Sequence, residues 1–111
     1  MAHTIQQLAQ SRPSGTTAAS VYSPASGEEV VIHNVIICNT SGASAKYRLF
    51  LDDDGTTYDE STALAWDVSV GADEVGIFEV KLCMNDANGN LAVRTDTASA
   101  LTFTVNGEVL S

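Results

Sequence analysis

The sequence predicts an all-β domain, a single antiparallel β-sandwich or jelly roll of about seven or eight strands, on three observations. Short runs rich in Val, Ile, Leu and Thr recur along the chain, Gly-, Asn-, Asp- and Ser-rich turn signals separate them, and no stretch sustains an apolar stripe at helical spacing. A chain of 111 residues supports one such domain. At this size it buries roughly 65% of its unfolded surface, enough for a core without staples.

The most strongly patterned run is 30–38, VVIHNVIIC. Val and Ile are stiff at χ1 and suit a pleated surface, so the run favours strand over helix. Its apolar residues fall on both parities, Val31, Val35 and Ile37 on one, Val30, Ile32, Ile36 and Cys38 on the other. That pattern predicts a central strand buried on both faces.

Ahead of it, residues 1–15 read as an N-terminal arm and residues 16–111 as the sandwich. Thr4 and Gln7 have the spacing of a capping box and Ile5 with Leu8 makes one apolar stripe, which predicts at most a single helical turn that docking would order. Arg12-Pro13-Ser14-Gly15 is the hinge, and residues 18–22 form a first short strand closed by Ser23-Pro24-Ala25-Ser26-Gly27.

Beyond the central run, Asn39-Thr40-Ser41-Gly42 signals a turn and residues 45–51 alternate. Ala45, Tyr47, Leu49 and Leu51 share the inward face, with Lys46, Arg48 and Phe50 opposite. Leu64, Trp66, Val68 and Val70 predict the next inward face, and Phe78, Val80, Leu82 and Met84 the one after, with Glu79, Lys81 and Cys83 outward. Leu91 and Val93 continue the pattern with Arg94 facing out. Leu101, Phe103 and Val105 open a last strand, in which Asn106-Gly107 is either a hairpin turn or a bulge.

Five basic residues against fourteen acidic ones give a net charge of −9, which opposes nucleic acid and anionic lipid as partners. No segment is apolar for long enough to cross a membrane as a helix, and the first residues lack a charged stretch followed by an apolar one, so synthesis in the cytoplasm is expected. In that compartment Cys38 and Cys83 are expected to be free thiols.

Little in the sequence points to catalysis. The two histidines, His3 and His33, stand apart from any nucleophile or metal-ligand pattern, and there is no Gly-rich phosphate loop. The acidic loop 52–60, DDDGTTYDE, offers Asp52 and Asp54 as candidate cation ligands. Thr57 stands where an EF-hand needs glycine, so the loop reads first as a solvated turn, and no cofactor is expected. Asp86, Asn88 and Asn90 fail the same test, because Leu91 holds the glycine place. Asn39-Thr40-Ser41 matches a glycosylation sequon.

The runs VVIHNVIICNTSGASAKYRLFLDDDGTTYDESTAL, WDVSVGADE and MNDANGNLAVRTDTASALTFTVNGEV, spanning roughly residues 16–110, resemble the small β-sandwich structural proteins of tailed bacteriophage virions. The resemblance lies in the order and spacing of the runs, and Asn106 stands where an aromatic residue is often found before the closing glycine. It implies a non-enzymatic virion protein, a capsid decoration or cement protein on the capsid surface. Its partners would be further copies of itself, as a trimer, and the phage major capsid protein. The alternative is a tail or tail-fibre module that binds a host receptor or glycan. Contact residues expected on the arm are Ile5, Leu8 and Arg12, and on the outward strand faces and the acidic loop, Phe50, Tyr58 and Ile77. Phe50 and Tyr58 are the pair placed to stack on a sugar.

Overall fold

The computed structural model describes residues 3–53, 57–85 and 89–110. They form strands β1 (His3–Ser11), β2 (Ala19–Tyr22), β3 (Glu29–Asn39), β4 (Ala45–Asp52), β5 (Ala63–Val70), β6 (Val75–Asn85), β7 (Asn90–Thr95) and β8 (Leu101–Leu110). Two antiparallel four-stranded sheets result, sheet A in the order β1-β8-β3-β6 and sheet B in the order β2-β7-β4-β5. Every connection except β4 to β5 changes sheet. This is the eight-stranded jelly roll, all-β as the turn-punctuated sequence predicts.

The core lies between the sheets. Strand β8 alternates without a break, Leu101, Phe103, Val105, Gly107 and Val109 buried and the residues between them half-buried. Ile32, Val35 and Ile37 of β3, Tyr47 and Leu49 of β4, and Leu91 and Val93 of β7 complete the same cluster. Tyr47 and Phe103 meet edge to face across the sheets, ring centroids 6.1 Å apart, and burial raises the Tyr47 hydroxyl pKa. Each fully buried side chain of this kind contributes about 1.5–3 kcal/mol.

Strand β3 departs from strict alternation. Opposite Asn106 and Gly107, β3 carries one residue more than β8, at His33, and opposite Val105 and Asn106 β1 carries one more, at Leu8. The extra residue flips the parity of β3, so that Val30, Ile32, Val35 and Ile37 all face the core. The expectation of burial on both faces is therefore corrected: Val31, Ile36 and Cys38 sit half-buried on the outer face of sheet A. The Asn106-Gly107 pair is neither a hairpin nor a bulge of its own strand; the bulges belong to the neighbours. Gly107 makes room for them. A Cβ there would strike the Val31 carbonyl and lie 2.9 Å from Ile32 Cα and 3.0 Å from Leu8 Cδ1.

Two further expectations are corrected. Residues 3–11 hold no helical turn but form β1, the edge strand paired with β8, with Leu8 and Ala9 packed on the core. A strand with one face in solvent and few apolar residues leaves almost no period in the sequence. In β5 the inward face is not Leu64, Trp66, Val68 and Val70. Ala65 and Val70 are buried, while Leu64, Trp66 and Val68 are exposed. Register shifts against β4 place extra residues in β5, and Asp67 at φ 51° marks one of them. Strand β6 keeps the expected parity, with Leu82 and Met84 buried.

Candidate functional site

The two outer sheet faces differ in chemistry. On sheet A, register places Ile36 between Thr104 and Ile77, Cys38 between Thr102 and Val75, and Val31 between Glu108 and Cys83. Neighbours across antiparallel strands share a face, so this surface is a mixture of apolar, hydroxyl and amide groups. Two polar pairs occupy its centre. The His33 Nε2–H donates to Glu108 Oε1 at 2.9 Å, and Asn106 Nδ2 donates to Asn34 Oδ1 at 2.9 Å. Cys38 is half-buried and Cys83 exposed, and both are free thiols.

The outer face of sheet B carries Lys46 and Arg48 of β4 and Arg94 of β7, three of the five basic residues of the chain. Arg48 grips Asp67 with two parallel bonds, Nε to Oδ1 at 2.7 Å and Nη2 to Oδ2 at 3.0 Å. The guanidinium hydrogen bond holds the Asp67 carboxyl below its ordinary pKa, and the same bond raises Arg48. Arg48 also lies over the indole of Trp66, its guanidinium carbon 3.6 Å from the ring centroid.

Phe50 points to this outer face, as its parity predicts, yet only 1% of it is exposed. Its strand neighbours are Ala63 and Ala92, two small residues that leave a hollow for the ring. Tyr58 and Trp66 then cover it, ring centroids 6.0 and 6.2 Å away. The segment 57–62 is fastened over the hollow at several points. Thr57 N–H donates to the buried Asp52 carboxylate at 3.0 Å, Leu51 N–H to Thr62 O at 2.9 Å, and Tyr58 O–H to Asn90 Oδ1 at 3.0 Å. Ser61 bonds Asp59 through both amide and hydroxyl, and those bonds, the hydroxyl's first, lower the Asp59 pKa.

The candidate contact residues thus separate. Ile5 (74% exposed) and Ile77 (60%) stand on β1 and β6, opposite edges of sheet A, and Arg12 is exposed just beyond β1. Leu8 is turned to the core. Phe50 is enclosed by its own chain and Tyr58 is half-buried against it, so neither is a free platform and the expected sugar-stacking pair is corrected. The carboxylate of Asp52 holds the Thr57 amide, while Asp54, Asp86 and Asn88 lie outside the described residues.

The residue that sequence reasoning missed is Trp66, the only tryptophan, placed inward by alternation and 41% exposed in the fold. A shallow cleft of about 180 Å³ opens beside it, lined by Glu60, Ala63 and Trp66. Alternation places Asp67 outward, where it is, and gives no signal that its neighbour Trp66 faces out as well.

No protein-family model and no curated protein sequence matches this chain. Among solved structures, it is similar to a chain of infectious bursal disease virus, Gx strain, at 14% identity with a TM-score of 0.56, over 97% of this chain and 32% of that one. It is similar also to a chain of the T13 viral particle of the same virus, at 15% identity with a TM-score of 0.58, over 95% of this chain and 29% of that one. The chain therefore spans about a third of the length of these viral chains, and the likeness is one of fold.

Proposed function

We propose that this chain is a non-enzymatic structural protein of a virion, a tailed-phage decoration protein that assembles with itself as a trimer and binds the major capsid protein on the outer capsid surface. The observation that supports the reading best is the jelly roll itself, shared over 95–97% of the chain with chains of a virus and of its T13 particle. The stretches resembling phage virion proteins point the same way.

Sheet A supplies a surface suited to such contacts. Ile36, Cys38, Val75 and Ile77 form a contiguous apolar area flanked by Thr102 and Thr104. Neutral, half-apolar patches of this kind fit the core of a protein interface better than the charged face of sheet B does. Residues 3–15, strand β1 and the bend after it, lie at the rim of the same sheet, where Ile5 and Arg12 reach a neighbouring subunit or the shell.

Two measurements test the reading. Light scattering of the purified chain is expected to give three times the monomer mass, and co-sedimentation is expected to carry it down with undecorated capsids. Ile77→Asp is expected to weaken one or both while the fold is kept. A monomer that ignores capsids and localises to tails would replace the decoration reading with the tail-module one.

A further inference from the structure

The Trp66 cluster packs over Phe50 and also presents a rigid aromatic surface to solvent. Trp66 stands on an edge strand, covers Phe50 with one part of its ring and still leaves 41% of the residue exposed, its orientation held from several directions. Arg48 stacks on the ring at 3.6 Å, Phe50 meets it edge-on at 6.2 Å, and Asp67 locks Arg48 in place with two bonds. Asp67 itself sits at φ 51°, a left-handed conformation uncommon for residues with a Cβ but one that Asp adopts more readily than most. The extra residues of β5, one of them marked by Asp67, turn Trp66 out of the core face, and the Arg48 clamp holds that arrangement. An exposed aromatic ring held rigid by such a clamp is suited to binding a flat ligand surface.

We propose that the cleft between Trp66 and Glu60 binds one ring of a neutral carbohydrate. Arg48 covers part of the indole, and the surface left exposed is flat, rigid and apolar, suited to the C–H face of a pyranose, with little freedom left to lose on binding. The Glu60 carboxylate, on the wall of the same cleft, accepts hydrogen bonds from ring hydroxyls. The cleft, about 180 Å³ and open to solvent, is small enough to limit the site to one ring. A carboxylate in the cleft and a net charge of −9 select against acidic sugars. A shallow site that takes one ring binds weakly, with a Kd on the order of 1 mM, and becomes useful where many copies display it together. This inference does not depend on the virion reading, because the site is complete within one chain.

The chain contains a single tryptophan, so its emission reports this cleft and nothing else. The full chain is titrated with glucose, galactose, mannose and N-acetylglucosamine while Trp66 fluorescence is followed, and a multivalent form is applied to a glycan array. A saturable emission change with at least one neutral sugar is expected, weakened about fivefold or more by Glu60→Gln at an unchanged melting temperature. Array binding is expected to be lost in Trp66→Ala and partly kept in Trp66→Phe, which retains a flat ring. Three results would overturn the proposal: no neutral glycan bound in either assay, binding that survives Trp66→Ala, or a Trp66→Ala variant whose only change is a lower oligomeric mass.

Discussion

The side-chain amide of Asn39 donates to the carbonyl oxygen of Val70 at 2.9 Å, tying the last residue of β3 in sheet A to the last residue of β5 in sheet B. Its second proton goes to Ala43 O at 2.9 Å, and its Oδ1 accepts from the Ser41 amide at 2.9 Å and hydroxyl at 2.8 Å. With 1% of the residue exposed, every polar position is filled inside the protein. The sequon it opens is thus a structural knot, and its nitrogen is closed to a glycan in the folded chain. Asn39→Ala removes the side-chain partners of the Val70 carbonyl and the Ser41 amide, while Ala43 O keeps the Ser41 hydroxyl at 2.8 Å, and it is expected to cost about 2–4 kcal/mol. The melting temperature should fall by on the order of 10 °C. A variant that melts with the parent would show that water replaces these bonds without loss.

Gly107 is expected to tolerate no side chain. The bulges at His33 and Leu8 press the neighbouring strands onto it from both sides, and the obstructing atoms include the backbone of Val31 and Ile32. Backbone cannot yield as a flexible side chain does, so Gly107→Ala is expected to cost at least about 3 kcal/mol. Gly42 has open space around it and is the control; Gly42→Ala should lie within about 0.5 kcal/mol of the parent. Denaturant midpoints for the two variants make the comparison.

Acid should unfasten the outer face of sheet B. Asp67 has a folded pKa below its unfolded value of about 3.9, because the Arg48 guanidinium bonds its ionised form. A depressed carboxylate pKa adds stability that is fully present above the unfolded pKa and lost as pH falls through the folded one. Asp59 acts in the same direction through its bonds from Ser61. Asp67→Asn is therefore expected to melt below the parent at pH 7 and to converge with it near pH 2. Parallel melting curves across that range would rule out the linkage.

Where sequence and structure diverge, the cause is nearly always one residue of register. Strand positions were legible: the apolar runs at 30–38, 45–51 and 75–84 became β3, β4 and β6 with ends moved by a residue or so. Alternation assumes that each residue flips the face, and a bulge breaks that assumption without changing composition. His33 thereby moved Val35 and Ile37 to the core face, and the extra residues of β5 turned Trp66 outward. Phe50 shows a second limit. Its parity was right, but its burial depends on Ala63, Ala92 and the Tyr58 segment, none of which is readable from the β4 run. The candidate site was hidden for the same reasons.

The two thiols should differ in rate. Cys83 is exposed on the outer face of edge strand β6, whereas Cys38 is half-buried between Thr102 and Val75. A thiol reagent added to the folded protein without reductant is expected to label Cys83 first and Cys38 slowly, reaching two labels on unfolding. Mass spectrometry follows both steps. An unlabelled species two protons lighter would mean a disulfide.

Removing residues 1–11 should damage the sandwich itself. Strand β1 pairs with β8 along nearly its whole length, from His3 opposite Leu110 to Ser11 opposite Phe103, and it brings Leu8 and Ala9 against the core. Without it, β8 becomes an edge, and Phe103, Val105 and Val109 lose the strand that shields their flank. An unmade ladder and one lost half-buried leucine together imply at least about 3 kcal/mol. An uncovered hydrophobic edge also invites strand pairing between molecules. The shortened chain is therefore expected to melt well below the full one and to aggregate on heating, as thermal melts with light scattering would record. If instead it melts within about 2 °C of the full chain and stays monodisperse, β1 contributes attachment to a neighbour and little to its own domain.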